Sequence, residues 1–388
     1  FLLCCAMGQE SRPVLFSILF ILFVSEVVVL ISYPAPLKEQ LKEKSAGPGN
    51  YLSFDRPLIV LHKGASPDSG NSYDTAFWSG WGSENQNMKD NIITKPLPWA
   101  AEGISVTKSC DVSCYVSNSQ SLLGTADAVM MEIINHPRVF GDGAIKWPKK
   151  KPGQLWGMFF YEPYQNHQHF LTPEVVDKFD FKATSSQDSE LPITLICPWG
   201  RSFDAYLHPP PTKRTDAAIC DFSPAIASQY QPFFEELHKN IEVHAYAGQL
   251  KNREPSQPYN LKTRLREVGK YKFAIVSEYV IENDYISPEL SQAWLAGAVP
   301  IYLGAPNVDD FVPGENSIIK ASDFASGKEL ADFIHSLLED EDKYYSYLAW
   351  KDKELSPSFR RHLENCAHLA ECRICHYVIE QQALAAQQ

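Results

Sequence analysis

The segment YKFAIVSEYVIENDYISPELSQAWLAGAVPIYLG, residues 271–304, reads in succession as strand, loop, capped helix, glycine stop and second strand. Ser287 suits the N-cap, and Pro288 suits the first helical position, where its missing N–H costs nothing. Gly297 closes the helix ahead of the apolar run Val299 to Leu303. In open α/β sheets the ligand crevice lies at the carboxyl ends of the strands, and a positively polarised helix start there favours phosphate. The segment therefore predicts a doubly wound α/β fold with an anion-facing helix start at Ser287.

The alternation of strand and helix extends outward from this segment. Arg56-Pro57-Leu58-Ile59-Val60-Leu61 begins an apolar strand, and Ala126 to Ile134 and Leu155 to Phe160 continue the first region. The tract His208-Pro209-Pro210-Pro211-Thr212-Lys213-Arg214-Thr215 interrupts all periodicity and marks a boundary, since proline runs act as semi-rigid spacers. Beyond it, Phe233 to Leu237 reads as an amphipathic helix and Ile241-Glu242-Val243 as a strand. The expected class is α/β, with two doubly wound Rossmann-like domains facing a cleft. Residues 55–207 make the first domain, and residues 208–388 make the second with the C-terminal tail. Residues 34–54 are a polar stem, and residues 1–33 an N-terminal tail and membrane-spanning helix.

That span is expected from Val14 to Ser32, whose only charge is Glu26 and which would extend about 28 Å as a helix. Its apolar side chains outweigh one acidic residue costing roughly 3 kcal/mol. A cleaved signal peptide and a buried helix are the competing readings; the run exceeds a usual signal core, and no small-x-small site follows it. Lys38, Lys42 and Lys44 follow the span while only Arg12 precedes it, which by charge counting alone puts the C-terminal side in the cytosol. The first Met is Met7, so residues 1–6 read as flank, and Cys4 and Cys5 are set aside.

A net charge of −12 argues against nucleic acid as a main partner. The one dense basic run, Lys149-Lys150-Lys151, lies between Pro148 and Pro152 and reads as a solvated loop, with an anionic partner as the alternative. Cys110, Cys114, Cys366, Cys372 and Cys375 cluster in a way that suggests disulfides in an oxidising compartment. No second pair completes a zinc site around Cys372 and Cys375, and no Asn-x-Ser/Thr sequon occurs.

Residue identity in the opening segment carries more than its pattern. Tyr271, Lys272, Phe273, Glu278, Asp284, Tyr285 and the run Ala296 to Pro300 resemble the signature of the α-1,3/1,4-fucosyltransferases, glycosyltransferase family 10. Gly153-Gln154-Leu155-Trp156 followed by Glu162-Pro163 resembles that family's G-Q-x-W-x5-E-P, with Asn166-His167-Gln168-His169 close behind. Asp188-Ser189 and Pro198-Trp199-Gly200 match further motifs in order. Val243 to Pro255, with the tail from Leu330 to Leu348 and from Glu371 to Cys375, is most similar to a protein O-fucosyltransferase-like subgroup. The likeness runs from about Pro152 to Cys375.

The resemblance implies a glycosyltransferase B architecture, with acceptor binding in the first domain and the nucleotide sugar in the second. It implies a single-pass type II Golgi membrane protein whose catalytic domain is lumenal, the opposite of the charge count. It also implies inverting transfer from GDP-fucose with no metal and no cofactor. A hydroxyl acceptor needs a positioned general base and a departing diphosphate needs preorganised positive charge. Glu162 is the candidate base, although an isolated Glu-Pro is usually an exposed loop carboxylate. His167 and His169 read as loop or acceptor-cleft residues before metal ligands. The donor candidates are Glu278 (for ribose hydroxyls), Asp284, Tyr285, Tyr230, Ser287 and Glu289.

On the donor side the sequence departs from the family. Phe222-Ser223-Pro224 replaces S-N-C, and Tyr230 stands where an arginine faces the diphosphate. The Asn of F-E-N-S is replaced by Tyr279, and T-E-K becomes Ser287-Pro288-Glu289, so Glu289 reverses the sign of a lysine. A unit pair at about 4 Å is worth roughly 4 kcal/mol at an effective dielectric of 20, enough to lower diphosphate affinity while the fold persists. Lys251, Arg253, Lys270 or Lys272 are the candidate compensating cations. The expected function is fucose transfer to a glycan or glycoprotein hydroxyl. The alternatives are a catalytically silent member that binds glycan or protein, and a transferase with another donor.

Overall fold

The computed structural model describes residues 57–63, 94–96, 104–107, 112, 114–117, 122–132, 147–197, 203–209, 219–223, 225–255, 261–366 and 370–387. All of them belong to one compact unit, residues 50–388. The apolar run at residues 14–32 lies outside the described residues. Among those described, no helix is long and apolar enough to cross a membrane.

Seven strands form the first sheet: β1 (Leu58–Lys63), β2 (Thr94–Pro96), β3 (Ile104–Thr107), β4 (Tyr115–Ser117), β5 (Ala128–Glu132), β6 (Leu155–Phe160) and β7 (Phe181–Thr184). Their order is β2-β3-β4-β1-β5-β6-β7. The five strands from β4 to β7 pair in parallel, while β2 and β3 add an antiparallel edge. Strand β6, LWGMFF, is apolar throughout because both faces are covered, as parallel sheets require. Gly157 within it has no room for a side chain: a Cβ would sit 2.4 Å from Met130 Sδ and 2.5 Å from Phe181 Cζ. A 3-10 segment, Tyr164–Phe170, and helix α1 (Pro173–Val176) connect β6 to β7.

The second sheet is wholly parallel and holds β8 (Ile219–Asp221), β9 (Val243–Ala245), β10 (Phe273–Ser277), β11 (Val299–Leu303) and β12 (Ile319–Lys320), in the order β12-β11-β10-β8-β9. The connecting helices are α2 (Gln231–Asn240), α3 (Leu261–Val268) and α4 (Pro288–Leu295), with α5 (Gly327–Glu339), α6 (Glu341–Ser346) and α7 (Pro357–Glu364) after β12. The period of two in β10 divides its side chains between two cores. Phe273 and Ile275 pack with Phe234 and Leu237 of α2 and Leu330 and Ile334 of α5. Ala274 and Val276 pack with Leu265 of α3, Trp294 of α4 and Phe359 of α7. The chain runs from β8 to β9 on one side and then crosses to β10 on the other, so the winding reverses between β8 and β10. Ligands bind at such a switch point.

The final helix, α8 (Ala370–Ala385), leaves the second sheet and packs on the first, where Ala370, Ile374, Cys375 and Val378 join Ile59, Met130, Phe159 and Phe181 in one core. Disulfides Cys114–Cys375 and Cys197–Cys366 fix this return, and Cys372 is also disulfide-bonded. The tail that the sequence groups with residues 208–388 thus lies against the first sheet. Strands β6 and β11 have the expected limits, whereas β9 starts two residues after Ile241.

Candidate active site

Two loops meet where the carboxyl ends of β6 and β10 face one another. The first carries Glu162-Pro163 and opens the 3-10 segment; the second is the opening segment's own loop, from Glu278 to Ser287. Glu162, half-buried, accepts a short hydrogen bond from the Tyr279 hydroxyl. Tyr279 packs edge-on against Tyr285, with ring centroids 5.5 Å apart. Burial, and then the neighbouring Glu162, hold the Tyr279 hydroxyl protonated well above the ordinary phenol range. Burial and the nearby Glu278 carboxyl do the same for Tyr285.

The second loop is fastened to the first half by two more carboxylates. Glu282 accepts from the Tyr164 N–H at 2.6 Å and the Gln165 N–H at 2.7 Å. Asp284 accepts from the Gln187 N–H at 2.9 Å, and its other oxygen accepts from Asn307 Nδ2 at 2.8 Å. The Asp284 N–H donates to Asn307 Oδ1, which stabilises the positive φ of 67° at this residue. Asp284 is therefore a clasp between the halves, and both its oxygens are engaged by the protein.

The helix start that the sequence offers to phosphate is filled by protein groups. Ser287 sits at the N-cap of α4, but its side chain makes no capping bond; its N–H instead donates to Glu278 Oε1 at 2.8 Å. Glu278 is 1% exposed, so its carboxyl faces the interior and not the crevice surface. Burial, with the Glu289 charge nearby, pushes its pKa up to about 8, against the hydrogen bonds from Ser287. Gly304 makes this packing possible, since a Cβ there would meet Tyr302 Oη at 2.2 Å and Glu278 Cγ at 2.4 Å. At the other end of α4, Gly297 takes a φ of 80° and completes the helix stop, with Gly297 N–H donating to Trp294 O and Ala298 N–H to Ala293 O.

Glu289, the residue expected to repel a diphosphate, is neutralised. Its Oε1 accepts from Arg264 Nη1 at 2.8 Å, with the two side chains 12% and 5% exposed. The Arg264 guanidinium lies over the Phe222 ring at 5.5 Å, and Phe222 stacks on Tyr246 at 4.4 Å. The four candidate compensating cations lie elsewhere: Lys251 pairs with Glu254, Arg253 with Glu242, Lys270 with Glu267, and Lys272 sits over Tyr344. Arg264 carries no sequence signal, because a cation in the amphipathic helix LKTRLREV reads as a solvated face. Tyr279 carried none either, since its meaning depends on a partner 117 positions away.

Tyr230 is not drawn into this group. It caps α2 by position and packs half-buried against the core between α2, α5 and the sheet. His167 is half-buried on the 3-10 segment. Among the described residues, no cluster of three or more His, Cys, Asp or Glu side chains converges as metal ligands would. A groove of about 570 Å³ at the outer edge of the second sheet, lined by residues that include Lys320, Asp323, Phe333 and Tyr347, shares none of the site's residues.

A parallel sheet with a switch-point crevice, faced by a carboxylate carried beyond a second sheet, defines an α/β protein built on two open sheets. Residues 213–387 match the model described as glycosyltransferase family 10 (fucosyltransferase) C-terminal domain. GDP-fucose protein O-fucosyltransferase 3 of Bos taurus is 29% identical over 219 residues, covering 53% of this chain and 46% of that protein. Alpha-(1,3)-fucosyltransferase B of Drosophila melanogaster is 24% identical over 342 residues, covering 78% of this chain and 76% of that protein. The chain spans about half the length of the first O-fucosyltransferase relatives it matches. A crystal structure of an α1,3-fucosyltransferase with GDP-fucose aligns over 84% of this chain and 92% of that one at 15% identity, with a TM-score of 0.40, too loose a likeness to carry an argument.

Proposed function

We propose that this protein transfers L-fucose from GDP-fucose to a hydroxyl of a glycan or glycoprotein, with inversion. The observation that carries the reading is the position of Glu162 at the carboxyl end of β6, opposite the loop that follows β10 at the switch point of the region that matches the family 10 model. Glu162 takes the acceptor's proton as its oxygen bonds to the anomeric carbon. The bond from that carbon to the diphosphate breaks, and the electron pair leaves with GDP. The Arg264–Glu289 pair removes the net repulsion that Glu289 alone would exert. The reading involves no metal and no cofactor.

The run at residues 14–32 acts in this reading as a signal-anchor, with the catalytic half in the Golgi lumen. The disulfides Cys114–Cys375 and Cys197–Cys366 support an oxidising compartment. Protease added to sealed Golgi vesicles should leave the catalytic half intact; digestion from the cytosolic side contradicts this placement.

The test of the chemistry is fucose transfer and GDP release by the full-length chain and by Glu162→Gln. The variant should keep GDP-fucose binding and lose about 10²- to 10⁴-fold in turnover. The product should carry the anomeric configuration opposite to the donor's. Equal turnover by the two proteins removes Glu162 from the reaction. A folded wild type with no turnover on any glycan or glycoprotein acceptor favours a silent binding protein.

A further inference from the structure

We propose that Tyr279 is the positioning residue for Glu162, a role that rests on the fucosyl-transfer reading above. The chain puts tyrosine where the resembled signature has asparagine, and its hydroxyl crosses the crevice to donate to Oε2 of Glu162. Tyr285 and Asn166 lie near the same phenol. Tyr285 is buried and held edge-on against the Tyr279 ring. The Tyr279 hydroxyl donates to the carboxylate, since an ionised carboxylate can only accept.

The geometry divides the two oxygens of Glu162 between two tasks. Oε2 is pinned by Tyr279, and in this reading Oε1 takes the proton of the acceptor hydroxyl. A free glutamate would sample several rotamers, and fixing one removes an entropic cost from the reactive geometry. Tyr279 itself keeps its proton, because burial and Glu162 together oppose a phenolate. The other ionisable residues in these stretches of sequence are Tyr161, Tyr164, His167 and His169 around Glu162, and Glu278, Glu282, Asp284 and Tyr285 around Tyr279. Glu282 and Asp284 are turned to backbone N–H groups and Glu278 to Ser287, which leaves Tyr279 as the donor to Glu162.

The test is the steady-state kinetics of GDP release from GDP-fucose by the full-length chain, for wild type and Tyr279→Phe. The Phe variant should lower kcat about tenfold and change KM for GDP-fucose less than about twofold, as loss of one charge-assisted hydrogen bond in the reacting complex predicts. An unchanged kcat, or a faster Phe variant, overturns the proposal. A second measurement needs no turnover: the unfolding equilibria of Tyr279→Phe, Glu162→Gln and the double variant should depart from multiplicative behaviour by about tenfold. Multiplicative effects mean that Tyr279 does not hold Glu162. A wild type that neither binds GDP-fucose nor releases GDP sinks the fucosyl-transfer reading instead, and the double-variant cycle still decides whether the pair exists.

Discussion

Arg264 and Glu289 alter the meaning of the donor side at the scale of single residues. From sequence, Glu289 reverses a charge; in the fold it is half of a buried pair at 2.8 Å whose guanidinium rests on Phe222. Removing one partner of such a pair leaves an uncompensated buried charge, which costs about 3–5 kcal/mol. Glu289→Ala should therefore lower thermal stability by that order, while replacing both residues with apolar side chains of similar volume should be close to neutral. Thermal unfolding of the single and double variants checks this, and a single variant as stable as wild type would show that the pair is open to water. The residue types were legible at Glu162, Glu278 and Asp284, but their environments were not. Glu278 reads as a carboxylate for ribose hydroxyls and is instead sealed beneath the start of α4, because Gly304 lets Tyr302 and the chain close over it.

The loop between β10 and α4 joins the halves at the scale of the element. Its Glu282, Asp284 and Tyr279 side chains all reach groups of the first half, so the segment that decides the fold also closes the crevice. The strand, the helix with Pro288 and Gly297, and strand β11 were legible because propensity, capping and apolar pattern agree locally. The loop's partners were not, since Tyr164, Gln165 and Gln187 lie about a hundred positions away. Glu282→Ala should cost about 1–3 kcal/mol through two lost charge-assisted hydrogen bonds. Its signature is faster hydrogen exchange at the Tyr164 and Gln165 amides, with amides of β10 unaffected. Protection unchanged at those two amides contradicts the clasp.

Buried acids and disulfides govern the response of the whole molecule to its surroundings. Burial raises Glu278 and Glu371 to about 8 and Asp221 to about 6. Each of these groups binds its proton more tightly folded than unfolded, so its stabilising effect is complete below its unfolded pKa and is lost as pH rises through the folded value. His362, stacked on Phe311 and lowered by burial to about 4, works the other way, and stability is lost as pH falls from about 6.5 to 4. The three acids outnumber the one histidine. The melting temperature should fall between about pH 5.5 and pH 8, as the unfolding free energy drops by about 1.4 kcal/mol per pH unit for each titrating group. Glu278→Gln should flatten part of that slope, and a melting temperature that rises over this range contradicts the buried state of these acids.

The two-sheet plan was legible at the same scale, because strand and helix alternate on both sides of the proline tract. The return of α8 to the first sheet was not, because which cysteines pair is a property of distance in the fold. The central claim is that this crevice holds GDP-fucose although the family's donor-side arginine and lysine are absent. Calorimetric titration of GDP-fucose into the full-length chain tests it most directly. Saturable binding below millimolar donor, with GDP competing for the same site, is the result expected here. No heat at millimolar GDP-fucose from folded protein would contradict it.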